Sequence, residues 1–321
     1  MTILVTGSFA YDTVMRFPGR FAEHILPERV HALSVAFDVD RLERSYGGCA
    51  GNIVYTLHAL GAPVVPVSAV GEDFAPYRAR LASWGVPTDF LCEVAGLTAQ
   101  AYVLTDRDDN QITAFHAGAM RASGTVPLPA LDPPPSLAIV APDAREGMLR
   151  RARELAASAV PYLLDPGQAL PLFTAEELRT LVSGARALCL NDYEEALLTE
   201  RTGWSTEAIA RRLEAVVVTL GAKGARLHQG AAVEAIPAVP PERVVDPTGC
   251  GDAHRAGLLF ALHASWSWPR AARFASLLGA IKVAHAGTQN HPLERADLAR
   301  RHAQAFGERL DWPAETSVPP P

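Results

Sequence analysis

Four short apolar runs punctuate the middle of the chain: LAIVAP (137–142), PYLLDPG (161–167), ALCLND (187–192) and VVVTLG (216–221). Each is bounded by turn residues and followed by a helical pattern. None alternates with polar residues, which predicts strands buried on both faces, as in a parallel sheet covered by helices. Between them Leu149, Ala152, Leu155 and Ala156 recur at helical spacing, and Thr174 with Glu177 forms a capping box that opens another helix. MTILVTGS at the start reads as a further short strand. The βαβα progression predicts a three-layer α/β sandwich, taken as a single domain over residues 1–321.

Two segments break that rhythm. TAQAYVL (98–104) and QITAFH (111–116) predict strands joined by the polar turn TDRDDN, and residues 13–46 mix polar and apolar positions without a clear crossover helix. Together, about 13–46 and 97–118, they are expected to form a small β-sheet lid. PLPALDPPP (127–135) is a loop, and 312–321, ending in TSVPPP, is expected to be a disordered tail.

Composition narrows the class. With 49% apolar and 20% charged residues, a chain of 321 can bury a large core. Its 29 basic and 35 acidic residues give a net charge of −6, with no basic run longer than pairs such as Arg150–Arg151, which argues against a nucleic-acid partner. No stretch reaches ~18 apolar residues, and the start has no basic, apolar leader, so a cytoplasmic protein without a membrane span is expected. Cys49, Cys92, Cys189 and Cys250 form no C-x-x-C pair, so reduced thiols are expected instead of a zinc site or disulfides.

The chemistry concentrates in VDPTGCGDAHRAG (245–257). Asp246 to Gly249 reads as a turn, and Ala256, Leu259 and Phe260 give one face of a helix that follows. The glycines then lie at a helix N-terminus, where free N–H groups and the helix dipole favour an anion. Asp252 falls in the first turn beside that anion. There it is either a helix cap or the base that takes a proton from a hydroxyl attacking a phosphate. A dinucleotide fingerprint is excluded by the missing third glycine, and GAKGARLH (221–228) lacks the Gly-Lys-Ser/Thr of a Walker loop.

YGGCAGNIVYTLHALG (46–61), NDYE (191–194), VVVTLGAKGA (216–225) and DPTGCGDAHRAG (246–257), in this order and approximate spacing, resemble the ribokinase/PfkB carbohydrate-kinase family. Residues 15–40, ITAFHAGAM (112–120) and DPGQ (165–168) look closer still to its bacterial adenosine and nucleoside kinases. The resemblance covers about residues 1–310 and implies a ribokinase-like αβα sandwich with a β-sheet lid.

It further implies an ATP- and Mg²⁺-dependent transfer to the 5′-hydroxyl of adenosine. Asp252 would be the general base, and the backbone of Gly249, Cys250 and Gly251 the anion hole. Asp12, Gly47, Gly48 and Asn52 would hold the ribose, Phe115 would stack on the base, and Gln168 would touch the substrate. Asn191, Thr219 and Gly221 would meet the nucleotide and Glu194 the Mg²⁺. A monovalent cation and a homodimer paired through the lid are further features the resemblance allows. A sugar kinase of the same fold and a nucleoside-binding regulator are the alternatives. His254 stands where the family usually has an aromatic residue and Cys250 where it has a small one; His254 is expected to pack, with no chemical role.

Overall fold

Strands without polar alternation need cover on both faces. The computed structural model, which describes residues 2–108 and 110–312, supplies that cover with helices on each side. The central sheet runs, in spatial order, Ala232–Ile236, Ala225–Gln229, Ala215–Thr219, Ala187–Asn191, Tyr162–Leu164, Leu137–Val140, Ile3–Thr6, Val64–Val70 and Leu91–Glu93. Neighbours are parallel from Ala215–Thr219 through Leu91–Glu93, and the Ala225–Ile236 hairpin adds an antiparallel edge.

Successive residues of one strand enter opposite cores. Ile3 and Val5 pack in a core built with the helices Cys49–Ala59, Cys250–His263 and Trp268–Lys282, whereas Leu4 packs in one built with Arg145–Ala157 and Ala175–Gly184. The three-layer α/β sandwich is therefore as expected. Each fully buried Val, Leu or Ile in these layers contributes on the order of 1.5–3 kcal/mol. The capping box at Ala175–Gly184 is present: Thr174 Oγ1 accepts from the Glu177 N–H at 3.3 Å, and Glu177 returns a carboxylate to the Thr174 N–H at 2.9 Å.

The lid is a separate four-stranded sheet in the order Arg41–Gly47, Ala10–Arg16, Ala99–Thr105, Gln111–His116, and it begins three residues earlier than the expected boundary at 13. The Asp106 carboxylate closes its polar turn by accepting from the N–H groups of Asp108 and Asn110, each at 2.9 Å. The register decides what the lid presents. Asp12 pairs with Ala101, which pairs with Phe115, so all three share one face of the sheet. At the usual strand spacing this separates Asp12 from Phe115 by about 10 Å, with only a methyl group between them. Of the tail expected at 312–321, residues 313–321 lie outside the described residues, while Trp312 packs against Phe260, Trp266 and Phe274.

Candidate active site

In an open parallel sheet, ligands bind beyond the C-terminal ends of the strands, where loops diverge around a crevice. Ser8, Pro142, Asp143, Asp165, Asn191 and Thr219 follow or end successive strands, and all of them line two adjoining cavities. The helices Cys49–Ala59, Asp192–Thr202 and Cys250–His263 also begin here, bringing unsatisfied N–H groups and positive dipole ends.

One cavity, of about 560 Å³, lies under the lid and is lined by Asp12, Gly48, Asn52, Phe115, Gln168 and Gly249. The other, of about 410 Å³, is lined by Asn191, Glu194, Thr219 and Gly221. Cys49, Pro142, Gln168, Gly251 and Asp252 belong to both. Residues expected in two binding roles are thus sorted into two spaces, with Asp252 in the wall between them.

Two of the expected residues line neither space. A Cβ at Gly47 would lie 2.1 Å from Asp12 Oδ2, so this glycine makes room for the carboxylate. The Cys250 N–H is taken, donating to the Pro247 carbonyl at 3.1 Å. The N–H groups of Gly249 and Gly251 have no backbone acceptor among the described residues, so the anion loop offers these two rather than all three expected donors. Gly249 holds φ at 78°, in the left-handed region that glycine enters without strain. The loop is braced from behind: the Asp246 carboxylate accepts from Thr248 N–H at 2.9 Å and Gly287 N–H at 2.7 Å, and the buried Lys282 Nζ donates to the carbonyls of Asp246 and His285.

Asp252 lies in the first turn of Cys250–His263, as the sequence pattern requires. Its Oδ2 accepts from Asn52 Nδ2 at 2.7 Å, while Asn52 Oδ1 accepts from Gln289 Nε2 at 3.1 Å, which fixes the amide's orientation. Asn52, expected on the ribose, thus also aims the carboxylate. Burial, reinforced by Asp165, pushes the Asp252 carboxyl up to about 7, against the pull of Asn52 and Arg255. Burial, then Asp246, raises Asp12 to about 6. Carboxyls poised near neutrality suit proton transfer.

Asn191 and Glu194 form a reciprocal capping box, each accepting the other's backbone N–H at 2.8 Å. Glu194 is thereby held at the second cavity, its carboxyl raised first by burial and next by Asp165. Phe115 is 56% exposed on the lid, so its ring face is open to the nearer cavity. Gln168 Nε2 reaches Cys49 Sγ at 3.5 Å, and Thr219 Oγ1 donates to the Leu190 carbonyl at 3.2 Å.

The sequence reading missed Arg255 and Asp165. Arg255 is 4% exposed and gives Nε to Asp165 Oδ2 at 3.1 Å and Nη2 to Oδ1 at 3.4 Å. Both line the second cavity. A signal did exist: Arg255 follows Asp252 by three positions, which places the two on the same side of a helix.

His254 is buried, and burial, then Arg255, pushes its imidazole down to about 3. Neither ring nitrogen has a hydrogen-bond partner among the described residues. A buried neutral ring of this kind fits the expectation that His254 packs without taking part in the chemistry. Replacing His254 with Phe should leave kcat/KM within about fivefold and the pH profile unchanged from about 5.5 to 7.5, because no titration is removed. An inflection present only in the histidine enzyme would contradict this assignment.

Residues 7–296 match the family model for pfkB family carbohydrate kinases. The nucleoside kinase of Methanothermobacter thermautotrophicus is 30% identical over 274 residues, covering 84% of this chain and 88% of that protein. The structure of Burkholderia thailandensis nucleoside kinase in complex with inosine superposes with a TM-score of 0.87 at 43% identity, covering 96% of this chain and 99% of the other. Its complex with ADP-inosine gives a TM-score of 0.83, also at 43% identity, covering 99% and 100%. With a family match over nearly the whole chain and its motif residues gathered around two cavities, this chain belongs to the PfkB family of carbohydrate kinases, phosphotransferases that act on a hydroxyl group.

Proposed function

We propose that the protein is an ATP- and Mg²⁺-dependent nucleoside kinase that phosphorylates the 5′-hydroxyl of adenosine. The observation that carries this reading is the position of Asp252 in the wall shared by a nucleoside-sized cavity and a second cavity at a helix N-terminus. A hydroxyl presented from beneath the lid would meet the carboxylate on one side and the transferring phosphoryl on the other. Asp252 takes the proton, and the Gly249 and Gly251 N–H groups face the phosphoryl oxygens. Fixed dipoles aimed at developing charge need no reorganisation during reaction.

Asp12 and Asn52 offer acceptors and donors for neighbouring ribose hydroxyls. Phe115, one alanine away from Asp12 across the lid, offers the base a flat apolar face. The similarity to a nucleoside kinase solved with inosine supports the same assignment. ATP would lie along Asn191, Thr219 and Gly221. Among the described residues no cluster of three or more His, Cys, Asp or Glu could cage a metal. Glu194, a hard carboxylate at the cavity wall, fits Mg²⁺, which keeps its waters and phosphate ligands and would neutralise phosphate charge.

The test is a phosphorylation assay with ATP and Mg²⁺ against adenosine, inosine, guanosine, cytidine, ribose and fructose. Adenosine is expected to give the highest kcat/KM, and faster turnover of ribose or fructose would overturn the assignment. Phe115→Ala should weaken nucleosides by about 1–3 kcal/mol, the usual worth of base stacking on an aromatic ring, and leave ATP and any free ribose unaffected. Equal weakening of ribose and nucleoside would make Phe115 a lid-packing residue.

A further inference from the structure

Arg255 is a buried cation that the functional assignment above does not use. Asp165 grips one edge of its guanidinium through Nε and Nη2, and Glu194 Oε2 lies 4.0 Å from Nη2. Its remaining nitrogen, Nη1, has no protein acceptor among the described residues. That nitrogen lies against the anion loop: a Cβ placed on Gly251 would be 3.7 Å from it. Arg255 lines the same cavity as Asn191, Thr219 and Gly221, and it rises from the same helix as Asp252, one turn further on.

We propose that Arg255 is a catalytic residue of the phosphoryl transfer, its Nη1 donating to the transferring phosphoryl group while Asp165 fixes the guanidinium. This rests on the kinase reading. The acceptor oxygen forms its bond to phosphorus as the bond from phosphorus to the bridging oxygen of ADP breaks. The acceptor's proton goes to Asp252, and the bridging electron pair leaves with ADP. Negative charge spreads over the equatorial oxygens, where a rigid planar donor is most effective. Holding one edge with a carboxylate and leaving the other nitrogen free presets that donor before substrate arrives.

Arg255→Ala alone would strand the Asp165 carboxylate in a buried site, so two better variants are Arg255→Lys and the charge-balanced pair Arg255→Met with Asp165→Asn. Both are compared with the wild type by calorimetric binding of MgADP with and without aluminium fluoride, which mimics the transferring phosphoryl. The expected result is MgADP affinity within about threefold of wild type, with the extra tightening by fluoroaluminate reduced by ~10²–10³-fold, the range for losing one preorganised donor. The kcat with the best acceptor of the panel should fall by a similar factor. Retained tightening in a folded variant overturns the proposal. So does a parallel loss of MgADP affinity and melting temperature, which would make the Arg255–Asp165 pair structural. Because fluoroaluminate binding does not depend on which acceptor is right, failure of the nucleoside assignment would appear separately, in the substrate panel.

Discussion

Asp252→Asn is expected to lower kcat by about 10²–10⁴-fold, the usual contribution of a positioned general base. Nucleoside and ATP affinities should stay within about threefold, because the amide keeps the shape and can still accept from Asn52 Nδ2. Near-normal turnover would remove Asp252 from the chemistry. In the wild type, kcat/KM should fall as pH drops through about 7, since burial favours the protonated carboxyl there and only the ionised form takes a proton.

The same shift makes a stability prediction of definite sign. The native carboxyl is raised to about 7, whereas an unfolded aspartate sits at about 3.9. Between those values the native state binds more protons than the unfolded one, so this group's contribution to wild-type stability falls as pH rises through that window and then levels off. The Asn variant has no such loss. Its melting temperature relative to wild type should therefore climb from pH ~4 to ~7. A flat or falling difference would mean that Asp252 is ionised in the folded protein throughout.

The second large effect is on the backbone. Gly48 sits at φ 86°, and a Cβ there would lie 2.5 Å from the Ser8 carbonyl oxygen, 2.6 Å from Ala10 N and 2.7 Å from Phe9 Cα. All three are main-chain atoms of the segment leading into the lid, so they do not yield as a flexible side chain would. Gly48→Ala should therefore destabilise the protein by about 3 kcal/mol or more, combining left-handed strain with a backbone clash. That corresponds to roughly 6 °C or more in Tm. Gly85, at φ 73° with open space for 4 Å around the point a Cβ would occupy, isolates the strain alone. Gly85→Ala should lose only about 1 kcal/mol. Equal losses at the two positions would show that the close approach of Gly48 to Ser8 and Ala10 is unimportant. Gly48, Ser8 and Ala10 line the cavity under the lid, so the nucleoside KM should rise in Gly48→Ala and not in Gly85→Ala.

The strands Leu137–Val140, Ala187–Asn191 and Ala215–Thr219 were legible because burial on both faces removes all polar alternation from a short run. Val64–Val70 carries Pro66 in its middle, a residue that usually marks an edge. The structure explains the tolerance: Leu91–Glu93 pairs only with Ser68–Val70, so Pro66 lies beyond the end of its outer neighbour. The loop around Gly249 and Gly251 was legible from its glycine spacing, and the use of the Cys250 N–H in a turn was not.

Local pattern determined the helix starts, the capping boxes, the apolar strands and the placement of Asp252 in a first turn, because each depends on residues within a few positions of one another. The tertiary structure decided which residues meet across long separations. Phe115 shares a lid face with Asp12 only through the register of Ala10–Arg16 on Ala99–Thr105 and of Ala99–Thr105 on Gln111–His116. Arg255 would face water on an isolated helix. It is buried here because the end of Tyr162–Leu164 delivers Asp165 to it from 90 positions away, and a buried guanidinium requires a partner that no local pattern can supply.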